Sequence, residues 1–196
     1  MMSVHLHKII ENTYVAGPGK RYCIWVQGCN RRCAGCLAQE TWSETGGYYE
    51  DVDKIIRDIK ESIDRDAIEG ITFLGGEPFQ QAQSLSAIGR EIKNTGLSVV
   101  TFTGYTIEEL ARADNEGFND LLAVTDILID GAFQLENWSL DRPWVGSSNQ
   151  RYHFLTKRYT EQVLQTKNKL EVRIYRNGKT IVSGMGDFHQ MIYYLK

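Results

Sequence analysis

All four cysteines of the 196-residue chain, Cys23, Cys29, Cys33 and Cys36, fall within fourteen residues. Three of them make the string Cys29-Asn30-Arg31-Arg32-Cys33-Ala34-Gly35-Cys36, a CxxxCxxC. Three thiolates so spaced can wrap one compact inorganic core, and soft thiolates suit iron–sulfur clusters or zinc. A structural zinc site wants a fourth ligand, and no second Cys pair or C-x-x-H stands nearby. A four-iron cluster on three cysteines instead keeps one iron free of protein ligands, able to bind a small molecule. Long-range disulfide stapling fits such clustering poorly, and in a reducing compartment it points to metal or redox chemistry. Cys23 is a conceivable fourth ligand, but its place inside an apolar run favours a buried strand residue.

Other strings carry side chains suited to binding. Gly75-Gly76-Glu77-Pro78 follows the run Gly70-Ile71-Thr72-Phe73-Leu74. Glycines at a strand end let a ligand approach the backbone, and Glu77 can accept a charge-assisted hydrogen bond from an ammonium group. The same four residues also make an ordinary strand-to-helix turn, with Pro78 at the start of the helix. Thr103 and Gly104 follow the next run and are candidates for the same pocket, although turns of this composition are common. Gly146-Ser147-Ser148-Asn149-Gln150-Arg151 is an unusual polar string whose plain reading is a surface loop. The four histidines lack the i, i+4 spacing of a helical metal pair. Trp25, Trp42, Trp138 and Trp144 form no regular stripe and read as packing, with Trp42 and Trp144 as candidates to cover a cofactor.

The elements that must position these groups follow from local pattern. Tyr22 to Gln27 reads as a strand between Gly17-Pro18-Gly19 and Gly28, which puts the cysteines in the loop after it. Asp51 can cap a helix whose apolar face is Val52, Ile55, Ile56, Ile59 and Ile63. Gly70 to Leu74, Leu97 to Phe102 and Asp126 to Asp130 read as strands, with helices over Phe79 to Asn94 and Thr106 to Ala113 between them. Such alternation favours parallel strands with helical crossovers: an α/β sheet or an open, incomplete barrel. Chemistry in those architectures gathers at the carboxyl ends of strands, where the cysteine loop, Gly75 to Pro78, Thr103-Gly104 and Asp130-Gly131 all fall. The last third is predicted to hold a helix over Tyr159 to Thr166, a hairpin over Leu170 to Ser183 turning at Asn177-Gly178, and a closing helix over Phe188 to Leu195.

The CxxxCxxC resembles that of the radical S-adenosylmethionine superfamily. In closer detail, Gly17-Pro18-Gly19, Gln27-Gly28-Cys29-Asn30 and Cys33-Ala34-Gly35-Cys36 are similar to the activating proteins of anaerobic ribonucleotide reductase, in which Gly before the last cysteine is usual. Leu74 to Pro78, Thr101 to Thr106, Asp130 to Phe133 and Gly146 to Arg151 extend that similarity in the same order. The resemblance implies a [4Fe-4S] cluster on Cys29, Cys33 and Cys36, with S-adenosylmethionine on the open iron. It places Gly75, Gly76, Glu77, Pro78, Thr103 and Gly104 around that cofactor. One electron from the cluster would cleave S-adenosylmethionine to methionine and a 5′-deoxyadenosyl radical, which abstracts hydrogen from its target. The implied protein substrate is a glycyl-radical enzyme, anaerobic ribonucleotide reductase, and the implied electron donor a flavodoxin or ferredoxin. The implied fold is an open, incomplete (β/α) barrel of mainly parallel strands with a C-terminal β-hairpin extension.

Bulk properties set the remaining bounds. The length fits one domain, with 42% apolar and 24% charged residues as in ordinary globular chains. The expected division is a core over 1–151 and an extension over 152–196 packed on it, since the resembling activating proteins tend to end near the Asn-Gln-Arg run. A formal charge of −3 without a basic run argues against nucleic-acid binding. No stretch approaches the roughly 20 apolar residues of a membrane span, and no apolar signal core opens the chain, so a cytoplasmic protein is expected. The extra tail leaves open a different target for the same chemistry, a peptide or small molecule, and a non-catalytic iron–sulfur or zinc module is the contrasting class.

Overall fold

The computed structural model describes residues 2–186, so the helix expected over Phe188 to Leu195 lies outside the described residues. In chain order the elements are β1 (Ser3–Thr13), β2 (Arg21–Val26), β3 (Tyr48–Asp51), α1 (Val52–Asp66), β4 (Gly70–Gly75), α2 (Ala82–Lys93) and β5 (Ser98–Phe102). There follow α3 (Ile107–Arg112), α4 (Glu116–Val124), β6 (Ile127–Asp130), β7 (Arg151–Phe154), β8 (Leu170–Ile174) and β9 (Thr180–Gly184). Seven strands form one sheet in the order β3-β1-β2-β4-β5-β6-β7, and β8 and β9 form a separate hairpin. β2, β4, β5 and β6 pair in parallel, while β1 and β7 run against the rest. The edge strands β3 and β7 do not meet, so the sheet is open.

Local sequence accounts for most of these elements. Asp51 caps α1 by accepting from the Lys54 amide, and the expected face of α1 is buried at Val52, Ile55, Ile56 and Ile59. Thr106 and Glu109 form a reciprocal capping box at the start of α3. The helix expected from Phe79 begins instead as a 3-10 turn at Pro78–Gln81 and becomes α-helical at Ala82. Tyr159 to Thr166 yields only a 3-10 turn over Glu161–Gln165. The hairpin turns at Asn177-Gly178 as expected, in a three-residue loop over Arg176-Asn177-Gly178 with Gly178 at φ +81°. No described helix is long and apolar enough to cross a membrane.

The helices cover one face of the sheet. Ile24, Ile71, Phe73, Val99 and Leu128 point into an apolar layer with Ile55 and Ile59 of α1 and Leu85, Ile88 and Ile92 of α2. The opposite face is covered in halves. Over β5 and β6, Trp144, Tyr159, Val163 and Leu164 pack on Val100, Ile127 and Ile129. Near the start of β2, the fully buried Arg21 bonds the carbonyls of Pro18, Ile71 and Ser98 and the hydroxyls of Thr72 and Ser98, tying down the Gly17-Pro18-Gly19 turn. Between these two covers lies a cavity.

Candidate functional site

The cavity, about 620 Å³, opens at the carboxyl ends of β2, β4 and β5, a size and place usual for a small-molecule site in an α/β fold. Its lining includes the cysteines of the CxxxCxxC, the Gly75 to Pro78 turn and the Thr103-Gly104 pair. Every residue singled out as a ligand or cofactor contact therefore reaches one space. Those residues come from three strand ends, which only parallel pairing brings side by side.

The cysteine loop is held at both flanks. Its entry is pinned by the Gly28 amide on the Thr41 carbonyl (2.8 Å) and the Cys29 amide on the Trp42 carbonyl (3.3 Å). Asn30 donates from its backbone to Gln80 Oε1 (3.1 Å) and from Nδ2 to the Tyr105 hydroxyl (3.0 Å). Arg31 lies over the Tyr105 ring at 4.8 Å and pairs with Glu109 at 3.4 Å. The loop folds back through the Cys36 amide on the Cys33 carbonyl, with Gly35 at φ +76°, a conformation that favours glycine. Burial pushes the Cys29 and Cys36 thiols up, and N–H groups of Arg31 and Arg32 on Cys29 and of Ala38 on Cys36 pull the other way. Such N–H donors at sulfur are the means by which a protein tunes a bound cluster. Among the described residues no three His, Cys, Asp or Glu side chains converge as a single-ion site would require. A cluster makes a different demand, because each thiolate binds its own iron.

Glu77 is only 1% exposed. Its Oε1 accepts from the Phe79 amide (3.0 Å) and the Thr103 hydroxyl (2.8 Å), and Oε2 from the Gly104 amide (2.8 Å). The carboxylate thus clamps the end of β4 to the end of β5. A carboxylate offers about four acceptor positions, so roughly one is left toward the cavity. Burial pushes its pKa up to about 7, against the pull of those same donors. Gly76 contributes by closeness: a Cβ there would sit 2.1 Å from the Gly28 carbonyl oxygen, which already accepts the Glu77 amide. The turn is therefore glycine-rich in order to lie against the base of the cysteine loop as well as to border the cavity.

The polar string Gly146 to Arg151 ties down the loop after β6. Gln150 Oε1 accepts from the amides of Gly146 and Ser147, and its Nε2 donates to the Gly131 carbonyl. Asn149 donates to the Ala132 carbonyl, and Arg151 forks onto the buried carboxylate of Asp130. That loop carries Leu135 over Gly35 of the cysteine loop. Beyond Trp42 and Trp144, the two candidates to cover a cofactor, Trp25 and Trp138 also line the cavity. The four come from three separate segments, β2, the stretch before β3 and the β6–β7 connection, so no periodicity could group them. Lys8, which no motif marked, also lines the cavity with its ammonium 4.3 Å from the Trp25 ring centre, and burial lowers its pKa. Cys23 is buried in β2, its thiol pushed up to about 12 by burial. His5 stacks on Tyr49, His7 meets Gln27 and His153 faces Asp130, while His189 lies outside the described residues.

A family model described as a 4Fe-4S single cluster domain matches residues 15–153. The anaerobic ribonucleoside-triphosphate reductase-activating protein of Vibrio cholerae is 34% identical over 161 residues, covering 78% of this chain and 99% of that protein. The chain belongs to this family. The Haemophilus influenzae member is 32% identical over 146 residues, with 71% of this chain and 90% of that protein covered. The member from enterobacteria phage T4 is 28% identical over 148 residues, covering 74% and 90%. The stretch matched by the family model contains the whole cysteine loop and both strand-end turns and ends within β7. The β8–β9 hairpin of this reductase-activating family member lies beyond it.

Proposed function

We propose that Cys29, Cys33 and Cys36 hold the four-iron cluster, that Gly75, Gly76, Glu77, Pro78, Thr103 and Gly104 receive S-adenosylmethionine, and that the chain activates a glycyl-radical enzyme, anaerobic ribonucleotide reductase. The observation that carries this reading is the convergence, in one cavity of a reductase-activating family member, of three half-buried thiols and a carboxylate with one acceptor position to spare. When bound, the cluster and S-adenosylmethionine supply one electron and a 5′-deoxyadenosyl radical that abstracts hydrogen from a glycine.

The residues of the chain do the holding. Glu77, ionised, takes the cofactor ammonium at its remaining acceptor position, and the charge of that ammonium offsets the burial that raises its pKa. The tryptophans and the apolar side chains of the second face exclude water from the radical's surroundings. The open sheet acts as an incomplete barrel, leaving the rim accessible to a protein loop. The family core spans 1–151 with 152–196 as an extension of the same domain, the electron donor is a flavodoxin or ferredoxin, and the compartment is the cytoplasm. The test is to mix reconstituted, reduced protein with S-adenosylmethionine and the reductase without oxygen. A glycyl radical signal in electron paramagnetic resonance is the expected result; its absence from samples that do release 5′-deoxyadenosine would remove the reductase as target.

A further inference from the structure

The β8–β9 hairpin stands outside the stretch matched by the family model, yet it is fixed to the family core at defined points. Glu171 of β8 accepts from the Thr13 hydroxyl at 2.8 Å, and Arg173 donates to the Asn12 side chain at 3.1 Å. At the end of β9, Gly184 lies at φ +105°, and a Cβ there would come within 2.9 Å of Val15 Cβ and 2.2 Å of the Lys169 carbonyl oxygen. This docking brings Val182, Ser183, Gly184, Met185 and Gly186 into the wall of the cavity that holds the cysteine loop.

The segment presents two glycines and a serine beside Val182 and Met185. Ser183 is 8% exposed, and among the described residues its Oγ has no hydrogen-bond partner. A buried hydroxyl without a partner is costly, commonly about 1–3 kcal/mol, and calls for a donor or acceptor from elsewhere. The two glycines admit close approach of a backbone, and a peptide N–H or C=O satisfies a hydroxyl. Leu37, Leu135 and Trp138, which also line the cavity, are 68%, 58% and 54% exposed, an apolar rim beside the cysteine loop. Apolar side chains left in the open beside a cavity mark a surface for a protein partner.

We infer that the β8–β9 hairpin is a specificity-determining wall of this family member, seating the glycine-bearing segment of the reductase against Ser183 and the backbone of Gly184 to Gly186. The inference rests on the proposed activation of the reductase and adds which residues read it. Two substitutions approach the same wall differently. Ser183→Phe fills it, and Glu171→Ala releases the hairpin from Thr13 while leaving residues 182–186 of the wall unchanged.

Two readouts are taken for each protein: glycyl radicals formed per 5′-deoxyadenosine released at limiting reductase, and the Kd for the reductase measured with cluster-free protein by titration. Both variants are expected to lower the first about tenfold and raise the second by a similar factor, equivalent to about 1.4 kcal/mol of partner binding. Values within twofold of wild type in both variants would overturn the hairpin's role. So would variants that weaken S-adenosylmethionine binding while keeping the radical yield per deoxyadenosine, since the wall would then belong to the cofactor. Wild-type protein that releases no deoxyadenosine sinks the underlying reading, a result distinct from either.

Discussion

Along β2 the side chains alternate between two environments. Tyr22, Ile24 and Val26 enter the apolar layer beneath α1 and α2, whereas Cys23 and Trp25 face the cavity side. The same division holds in β4, where Ile71 and Phe73 go to the helices and Thr72 and Leu74 to the other face. On the helix face the packing is continuous, and residues from all four described helices close over the sheet. On the cavity face the cover is partial and includes a buried guanidinium, tryptophans and strand-end loops. The period of two in a strand thus separates what holds the fold from what meets a ligand. Substitutions on one face should move stability with little effect on chemistry, and those at the strand ends the reverse.

The largest separation is expected at the cysteine loop. Cys33→Ala should abolish both cluster iron and 5′-deoxyadenosine release, while the urea midpoint of the cluster-free protein moves by no more than about 0.5 kcal/mol equivalent, because the loop is outside the core. A large loss of apo stability would break the comparison. Next comes the helix face: Phe73→Ala should cost about 3–5 kcal/mol in urea denaturation, by lost transfer energy and the cavity left behind. The fraction that stays folded should bind iron as wild type does.

Glu77 sits where the two roles meet. With a folded pKa of about 7 and an ordinary carboxyl value of 4.5, the native cluster-free protein holds a proton that the unfolded chain has lost. Stability contributed by this group is therefore present below pH 4.5 and is lost as pH rises toward 7. Binding of an ammonium ligand requires the ionised form, so S-adenosylmethionine affinity should fall as pH drops below 7, by at most about tenfold per pH unit. Glu77→Gln should flatten that pH profile and weaken binding about tenfold or more, since an amide nitrogen cannot accept from the donors that converge on this carboxylate. An unchanged profile in titration calorimetry would deny Glu77 the ammonium. The smallest effect belongs to Cys23→Ala, with about 1 kcal/mol of stability lost and iron per chain unchanged; a drop in iron would make Cys23 a ligand.

The parts of the fold legible in advance were those whose pattern is local. The face of α1, the hairpin turn at Asn177-Gly178 and the strands β2, β4, β5 and β6 follow from periodicity and breakers. β1 carries no clear strand pattern because bulges shift its register between Leu6 and Lys8 and again between Ile10 and Thr13, so the alternation loses phase. β3 and β7 are four residues each and take their identity from a neighbouring strand. In α4, Gly117 and Asn119 weaken helix propensity, and packing supplies what propensity does not. At the site, the cysteines, the Gly-Gly-Glu-Pro turn and Thr103-Gly104 could be named from their strings. The roles of Lys8 and the tryptophans could not, since each is set by a neighbour distant in sequence.

By itself, then, the sequence determined which groups are available for chemistry: three thiols on one short loop, a carboxylate between glycines and proline, and strands that deliver both to their carboxyl ends. Side-chain type and spacing suffice for that, because they act over a few residues. Tertiary structure alone decided that Glu77 locks β4 to β5, that Asn149 to Arg151 bind down the loop after β6, and that the hairpin reaches back across the chain to Thr13 and Val15 to wall the cavity. Those contacts depend on strand order and register, which join residues from about 20 to more than 150 positions apart, and no local pattern encodes them.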